Sequence, residues 1–301
     1  MSNTFKYLTL LAAAVLTLGA VAACSPLKTI NALTPSSTYT KTADLAYGAG
    51  PRAKLDIYAP EGSPTLSPVV VFFYGGSWNS GAREDYKFVG EALASRGIVA
   101  VIADYRLYPQ VKYPSFLEDS GDAVAWTFKE IQRYGGDPKK LFVMGHSSGG
   151  YNAAMVALDA RWLGRSGLSP SILRGWIGMA GPYDFLPIEN RDVRPVFFYP
   201  DTPVESQPVN HVTAGAPPAL LIAANRDSLV NPVRNTGNMA QQLRNAGDSV
   251  QEVYFDGVSH TSLVGSLARP LRGLAPTLDV IERFVKSDGG RTADTATSSA
   301  R

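Results

Sequence analysis

The sequence predicts one α/β domain with a mostly parallel, doubly wound sheet flanked by helices and a short irregular cap insertion. Short apolar runs alternate along the chain with longer segments of helical character. Two of the runs, 69–73 and 219–224, are apolar at every position, as expected for strands buried on both faces of a sheet. A glycine-flanked turn at 145–149 joins an apolar run to a helical segment. Because parallel strands are usually connected by helices, these observations predict the α/β class.

Each element follows from the local pattern. Strands are assigned to compact apolar or alternating runs, and helices to segments whose apolar residues recur every three or four positions. Residues 181–216 break the alternation and predict an insertion that overhangs the strand ends, where its aromatic residues either shape a pocket or pack the loop onto the core. The predicted elements are strands 54–58, 69–73, 98–103, 140–144, 175–179, 219–224 and 250–255, and helices 83–95, 116–133, 148–159, 232–246 and 275–286.

The first 24 residues form a separate segment. Lys6 precedes a short apolar stretch that ends at small residues and at Cys24, the only cysteine of the chain. This pattern resembles a bacterial lipobox, which implies a cleaved signal peptide, a lipid on Cys24 and a lipid-anchored protein of the cell envelope. Ser25 favours the outer membrane if the source is Gram-negative. An ordinary cleaved signal peptide and an uncleaved membrane anchor are the alternatives.

The rest of the chain divides by composition into three parts. The Ser/Thr/Pro-rich residues 25–39 predict a tether, 40–286 the α/β domain, and 287–301 a disordered tail. A formal net charge of +2, from 28 basic and 26 acidic residues, gives no basic stripe for nucleic acid and implies no protein partner. Because the sequence has no metal-binding cluster and no nucleotide-binding motif, we expect neither a metal nor a cofactor.

The turn at 145–149, Gly-His-Ser-Ser-Gly, has the pattern of a nucleophile elbow. Glycines two positions on either side of Ser147 permit a sharp turn between a strand and a helix, which lifts the serine into a cleft. The following helix directs its positive end, and the Ser148 amide, toward negative charge on an attacked carbonyl. Ser147 is therefore the predicted nucleophile.

The chain has three histidines that could serve as the base. His146 lies inside the turn, so its side chain should diverge from the serine, and His211 lies in a Pro-rich loop. His260 follows the alternating strand 250–255, and loops at strand ends are where α/β enzymes carry catalytic groups. Asp227 follows the apolar run that ends at residue 224 and is the candidate carboxylate, with an ordinary turn or capping role as its alternative.

A fourth motif lies upstream, where strand 69–73 ends in Tyr-Gly-Gly-Ser-Trp at 74–78. With this motif, the elbow and the Ser–Asp–His order, residues 50–286 resemble the α/β-hydrolase superfamily. Within it they are similar to carboxylesterases and to feruloyl-esterase-like and kynurenine-formamidase-like enzymes. Further matching stretches are Ala-Asp-Tyr-Arg-Leu at 103–107, Tyr-Pro at 113–114 and Tyr-Gly-Gly-Asp-Pro at 134–138.

The resemblance implies an oxyanion hole made by the backbone amides of Gly76, Ser77 and Ser148. Tyr74 stands where the related esterases usually have histidine. Other α/β-hydrolases, which resemble prolyl oligopeptidase, place a tyrosine hydroxyl in the oxyanion hole, and this resemblance would add the Tyr74 hydroxyl. We favour the amides, because the glycine pair already matches the backbone-amide pattern.

The expected activity is hydrolysis of a small-molecule carboxylic ester by two-step acyl transfer. Ser147 attacks the carbonyl, His260 moves the proton and Asp227 orients the imidazole. The same three residues could hydrolyse an amide, a formamide or a peptide. A non-catalytic binding protein on the same scaffold is the alternative of another class.

Overall fold

The computed structural model describes residues 26–290, and the signal segment with Cys24 lies outside them. Its strands are the seven predicted from the sequence and one more at the start of the domain. They run Tyr39–Ala46 (β1), Lys54–Pro60 (β2), Ser67–Phe73 (β3), Val99–Ala103 (β4), Gly136–His146 (β5), Leu173–Met179 (β6), Ala219–Ala224 (β7) and Val250–Phe255 (β8).

The eight strands form one sheet in the order β1-β2-β4-β3-β5-β6-β7-β8. β1 pairs with β2, and β2 with β4, in the antiparallel sense, whereas every pair from β4 to β8 is parallel. β4 and β7 are buried at every position, as continuous apolar runs predict. The mostly parallel, doubly wound sheet expected from the sequence is therefore confirmed.

Helices cover both faces of this sheet and connect its parallel strands. Among residues 26–290, the α-helices are Pro26–Ala32 (α1), Lys87–Ala94 (α2), Ser115–Glu130 (α3), Ser148–Leu158 (α4), Ala160–Gly164 (α5), Asn238–Asn245 (α6), His260–Gly265 (α7) and Thr277–Lys286 (α8). A π-helical turn, Val233–Gly237, precedes α6. Short 3₁₀ turns are Arg83–Tyr86, Ile131–Tyr134, Pro170–Ile172, Arg194–Phe197, Val204–Ser206, Pro208–His211 and Arg269–Leu271. None of the helices in this part of the chain combines the length and apolar character needed to cross a bilayer.

The segment expected to be a tether, 25–39, instead contains helix α1 and the start of β1. Leu27 and Ile30 are three residues apart, so they lie on one face of α1, and both pack against the core of the domain. The Asn31 side chain donates to the Glu84 carbonyl at 2.9 Å. Burial of this short apolar face fixes the segment, and the tether prediction was wrong for it.

Two further segments differ from expectation. β1 was missed because it is an edge strand with mostly exposed positions, so it has no apolar run. The first four residues of the expected tail, 287–290, form a turn after α8, where the Arg174 side chain donates to the Asp288 carboxylate at 2.7 Å. Residues 291–301 lie outside the described part of the chain.

Candidate active site

The turn between β5 and α4 holds Ser147 with φ 54° and ψ −124°, a region that non-glycine residues seldom occupy. Close packing holds this backbone in place. A Cβ on Gly145 would come 2.0 Å from the Gly149 carbonyl oxygen, and a Cβ on Gly149 would come 2.0 Å from the Phe73 carbonyl oxygen. The Ser147 amide donates to the Met179 carbonyl at 2.9 Å. The serine therefore stands at the carboxyl edge of the sheet.

The structure brings the three predicted residues together in one hydrogen-bonded chain. His260 Nε2 lies 2.9 Å from Ser147 Oγ, and His260 Nδ1 lies 2.7 Å from Asp227 Oδ2. Asp227 follows β7, and His260 begins α7 after β8, so all three residues lie where parallel strands end. Ser147 is partly exposed, while the other two are buried.

The Asp227 carboxylate is held from both sides. Its Oδ1 accepts hydrogen bonds from the Leu229 and Val230 amides, each at 2.9 Å. Burial alone raises the pKa of Asp227, but the hydrogen bonds from His260 and the Val230 amide outweigh it and lower that pKa below its usual value. The carboxylate is thus ionised at neutral pH. It accepts the proton on His260 Nδ1 and leaves the Nε2 lone pair facing the serine.

His146 diverges from the serine, as expected, but it contacts the base. Its Nε2 lies 2.9 Å from the His260 carbonyl oxygen, and the two rings lie 4.9 Å apart. A carbonyl only accepts, so Nε2 of His146 carries the proton. Burial, together with the nearby His260, lowers the pKa of His146 to about 3, so the ring is neutral. His211 instead lies in the insertion, with Nε2 2.6 Å from the Glu205 carbonyl.

The turn after β3 lies against the nucleophile. A Cβ on Gly75 would come 2.9 Å from Ser147 Cβ, and the next residue, Gly76, has φ 139°. The Gly76 carbonyl accepts from the Asn79 and Ser80 amides, which closes the turn. Within residues 26–290, neither the Gly76 amide nor the amide that follows it donates to another group.

The amides of Gly76 and Ser77 belong to the predicted set of oxyanion donors. Gly76, Ser77 and Ser148 all line the same cleft as Ser147. Ser148 begins α4, so its amide lies at the positive end of that helix. Gly76, Ser77 and Ser148 therefore remain the predicted backbone donors to a developing oxyanion.

Tyr74 is turned away from this site. Its side chain is fully buried, and its hydroxyl donates to Asp104 Oδ1 at 2.6 Å and accepts from Arg52 Nη2 at 2.5 Å. Arg52 also donates to the Gly81 carbonyl, and the Tyr105 hydroxyl donates to the Tyr74 carbonyl. The hydroxyl is fully used in this network, so a direct role in the oxyanion hole is excluded. Tyr74 instead packs and hydrogen-bonds beside the glycine turn that follows β3.

We expect Tyr74→Phe to lower kcat by less than about tenfold, because the backbone amides stay in place. Loss of the hydroxyl leaves Asp104 without one buried donor, so the free energy of unfolding should fall by about 1–3 kcal/mol. Steady-state kinetics and urea denaturation measure the two effects. Tyr199→Phe, at an exposed tyrosine, is the matched control. A hundredfold loss of kcat in a folded Tyr74→Phe protein would contradict this assignment.

The cleft above Ser147 has a volume of about 930 Å³. The insertion contributes residues such as Phe185 to the lining of this cleft, so it adjoins the serine; that it overhangs the triad stays a prediction. Its aromatic residues differ in role: Phe185 lines the cleft, and Phe197 is buried and packs 4.8 Å from the Trp78 ring. Phe198 and Tyr199 are exposed and take neither expected role.

No group of three or more histidine, cysteine or acidic side chains suited to a metal occurs in residues 26–290.

Trp78 lines the cleft but is nearly buried, and its indole nitrogen donates to Asn152 Oδ1 at 3.0 Å. It therefore acts mainly in packing. Leu27 and Ile30 of α1 also line the cleft, and composition-based assignment of the segment to a tether missed them. Their three-residue apolar spacing was the available signal.

The sequence matches the BD-FAE family profile over residues 55–243. It is 28% identical over 252 residues to the probable isoprenylcysteine alpha-carbonyl methylesterase ICMEL1 of Arabidopsis thaliana. This alignment covers 76% of this chain and 52% of that protein. It is 32% identical over 204 residues to carboxylesterase NlhH of Mycobacterium tuberculosis, and this alignment covers 61% of this chain and 63% of that protein. The chain thus spans about half to two thirds of the length of these relatives.

Solved structures agree on the fold. Esterase B from Lactobacillus rhamnosis superposes with a TM-score of 0.74 at 19% identity, covering 94% of this chain and 97% of that chain. An esterase from Pseudomonas putida ECU1011 superposes with a TM-score of 0.63 at 25% identity, covering 86% of this chain and 85% of that chain. The fold is the α/β-hydrolase fold that the sequence predicted.

Proposed function

The chain belongs to the BD-FAE family, and we propose from this membership and from its site that it is a serine carboxylesterase. The observation that carries the proposal is the continuous hydrogen-bonded chain from Asp227 through His260 to Ser147 at the base of an open cleft. Relatives that bear the names carboxylesterase and methylesterase favour an ester as substrate. The substrate class is a small-molecule carboxylic ester.

Hydrolysis proceeds in two steps. Ser147 Oγ attacks the carbonyl carbon while its proton passes to His260 Nε2, at the 2.9 Å distance between those atoms. The tetrahedral intermediate collapses when His260 returns the proton to the alcohol oxygen, which leaves an acyl group on the serine. Water then attacks the acyl-enzyme, His260 takes its proton and passes it to Ser147, and the carboxylic acid is released.

The negative oxygen of each tetrahedral intermediate needs donors that are already in position. The amides of Gly76, Ser77 and Ser148 supply them, because all three residues line the cleft beside the nucleophile. These donors contribute more in the transition state than in the ground state, because negative charge develops on the oxygen, and fixed backbone donors need no reorganisation to meet it.

A fluorophosphonate probe tests the nucleophile, since it phosphonylates only an activated serine. We expect one probe mass on the peptide that contains Ser147 and none on Ser147→Ala. Turnover of p-nitrophenyl acetate, an aryl formamide and a peptide anilide then separates esterase from formamidase and peptidase activity. Absence of both labelling and turnover in the folded protein would favour a non-catalytic binding protein.

For location, we propose that the mature protein begins at a lipid-bearing Cys24 and is anchored to the bacterial cell envelope. The support is the lone cysteine at a small-residue cleavage site. We expect metabolic labelling with an alkyne fatty acid to mark the native protein and not Cys24→Ala. Intact Met1 on the mature protein, or a Cys24 peptide without lipid mass, would contradict the anchor.

A further inference from the structure

One side of the cleft is an apolar bay, defined here as Leu27, Ile30, Tyr86, Phe88 and Val264. Tyr86, Phe88 and Val264 are buried in the domain, whereas Leu27 and Ile30 are partly exposed. The five side chains come from α1, from the segment 83–88 and from α7. Three separate parts of the chain therefore converge on one apolar surface.

The bay adjoins both sides of the reacting centre. Val264 follows His260 by four residues in α7, so the two side chains lie on the same face of that helix. Tyr86 stacks on Tyr74 with ring centroids 5.4 Å apart and planes inclined by 15°. Tyr74 precedes the glycine turn beside the nucleophile. A substrate group in the bay is thus within reach of an ester carbonyl at Ser147.

Helix α1 is fixed as the outer wall of the bay. Asn31 bridges it to the domain, because its amide donates to the Glu84 carbonyl at 2.9 Å and its oxygen accepts from the Phe88 amide at 3.3 Å. Lys87 Nζ donates to the Thr34 carbonyl at 2.9 Å, just beyond the helix. These contacts hold Leu27 and Ile30 in place within the bay.

The cleft lining also contains charged residues outside the bay. Asp184, Glu189 and Arg234 are among them, and the Arg234 guanidinium pairs with the Asp184 carboxylate at 3.3 Å. Asp85 also lines the cleft but is partly exposed, so its charge remains hydrated. Leu27 and Ile30 keep apolar surface accessible at the bay, and covering that surface with a hydrocarbon group is favourable.

We propose that the apolar bay is a subsite for a hydrocarbon arm of the ester and that α1 determines this specificity. The proposal rests on the proposed esterase function and adds to it the substrate class, an ester with one aliphatic arm of several carbons. Each methylene that enters such a pocket contributes to selection among substrates, and one methylene corresponds to about tenfold or more in kcat/KM.

Substrate series on narrowed variants test the bay. Leu27→Trp and Ile30→Trp place a larger ring at its wall, and Lys28→Ala, exposed on the same helix, is the control. One series compares p-nitrophenyl octanoate with the acetate, and the other compares octyl acetate with ethyl acetate. We expect the long-to-short ratio of kcat/KM to fall about tenfold in one series, which identifies the acyl or the alcohol arm, and to stay constant in Lys28→Ala. Unchanged ratios in both series would overturn the subsite.

A second readout needs no turnover, so it separates failure of the subsite from failure of the esterase function. Calorimetry measures 1-octanol binding to Ser147→Ala and to the same protein with Ile30→Ala or Leu27→Trp added. We expect octanol to bind and each added change to weaken it by about tenfold or more. Octanol binding that is absent, or that is equal in all three proteins, would overturn the proposal even if acetate is hydrolysed.

Discussion

Ser147→Ala and His260→Ala should each lower kcat by about 10⁴ to 10⁶ while leaving the fold intact. Without Ser147 no acyl-enzyme forms, and without His260 no other group of residues 26–290 lies within hydrogen-bond distance of Ser147 Oγ to take its proton. Because the three residues act as a unit, the double variant should lose little more than either single one. Steady-state turnover of p-nitrophenyl acetate measures the loss, and circular dichroism with thermal unfolding checks the fold.

The other histidine outside the elbow supplies the control for this pair. His211 binds the Glu205 carbonyl inside the insertion, away from the serine, so His211→Ala should keep kcat within about twofold. Near-native turnover in His260→Ala, together with a large loss in His211→Ala, would show that the base is wrongly assigned.

Asp227→Asn should lower kcat by about 10⁴, at the lower end of the range for the serine and the base. The loss of kcat follows from the hydrogen bonds around the Asp227 carboxylate. Oδ1 accepts from the Leu229 and Val230 amides, so an asparagine places its carbonyl oxygen there and its NH₂ group toward His260 Nδ1. That NH₂ donates, which requires an unprotonated Nδ1 and moves the proton to Nε2. The imidazole then has no lone pair facing the serine.

The matched control is Asp256→Asn. Asp256 also follows a strand at this edge of the sheet, and its carboxylate accepts from the Asn225 side chain at 2.8 Å in an exposed position. We expect its kcat to stay within about twofold of the native value. If Asp227→Asn kept more than a tenth of the native kcat, the carboxylate would have the ordinary capping role that its two amide contacts also suit.

The sequence predicted most of the sheet and the three side chains at its edge. β4 and β7 are apolar at every position, and side chains in place of the elbow glycines would clash with the neighbouring backbone, so both features leave a clear pattern in the sequence. Asp227 and His260 could be placed because each follows a strand. They lie close to Ser147 because parallel strands end at the same edge of the sheet, and the alternation of strands and helices already implied this parallel arrangement.

The parts that sequence analysis missed depend on contacts between distant segments. Helix α1 has only two apolar residues on its inner face, Leu27 and Ile30, and its order depends on burial against the segment near residue 84. The Tyr74 hydroxyl could equally have faced the cleft, and its direction is decided by Asp104, thirty residues along the chain. Tertiary contacts of this kind leave no periodic pattern in the sequence.

The hydrogen bond between His146 and the His260 carbonyl links the segments that carry the nucleophile and the base. His146 precedes Ser147 in the chain, so this contact ties the end of β5 directly to the residue that supplies the base. Part of the cleft wall, by contrast, comes from α1 and the insertion, which contribute no member of the triad. In these two segments recognition is separate from chemistry, so protein engineers could exchange them to change the substrate without rebuilding the reaction centre.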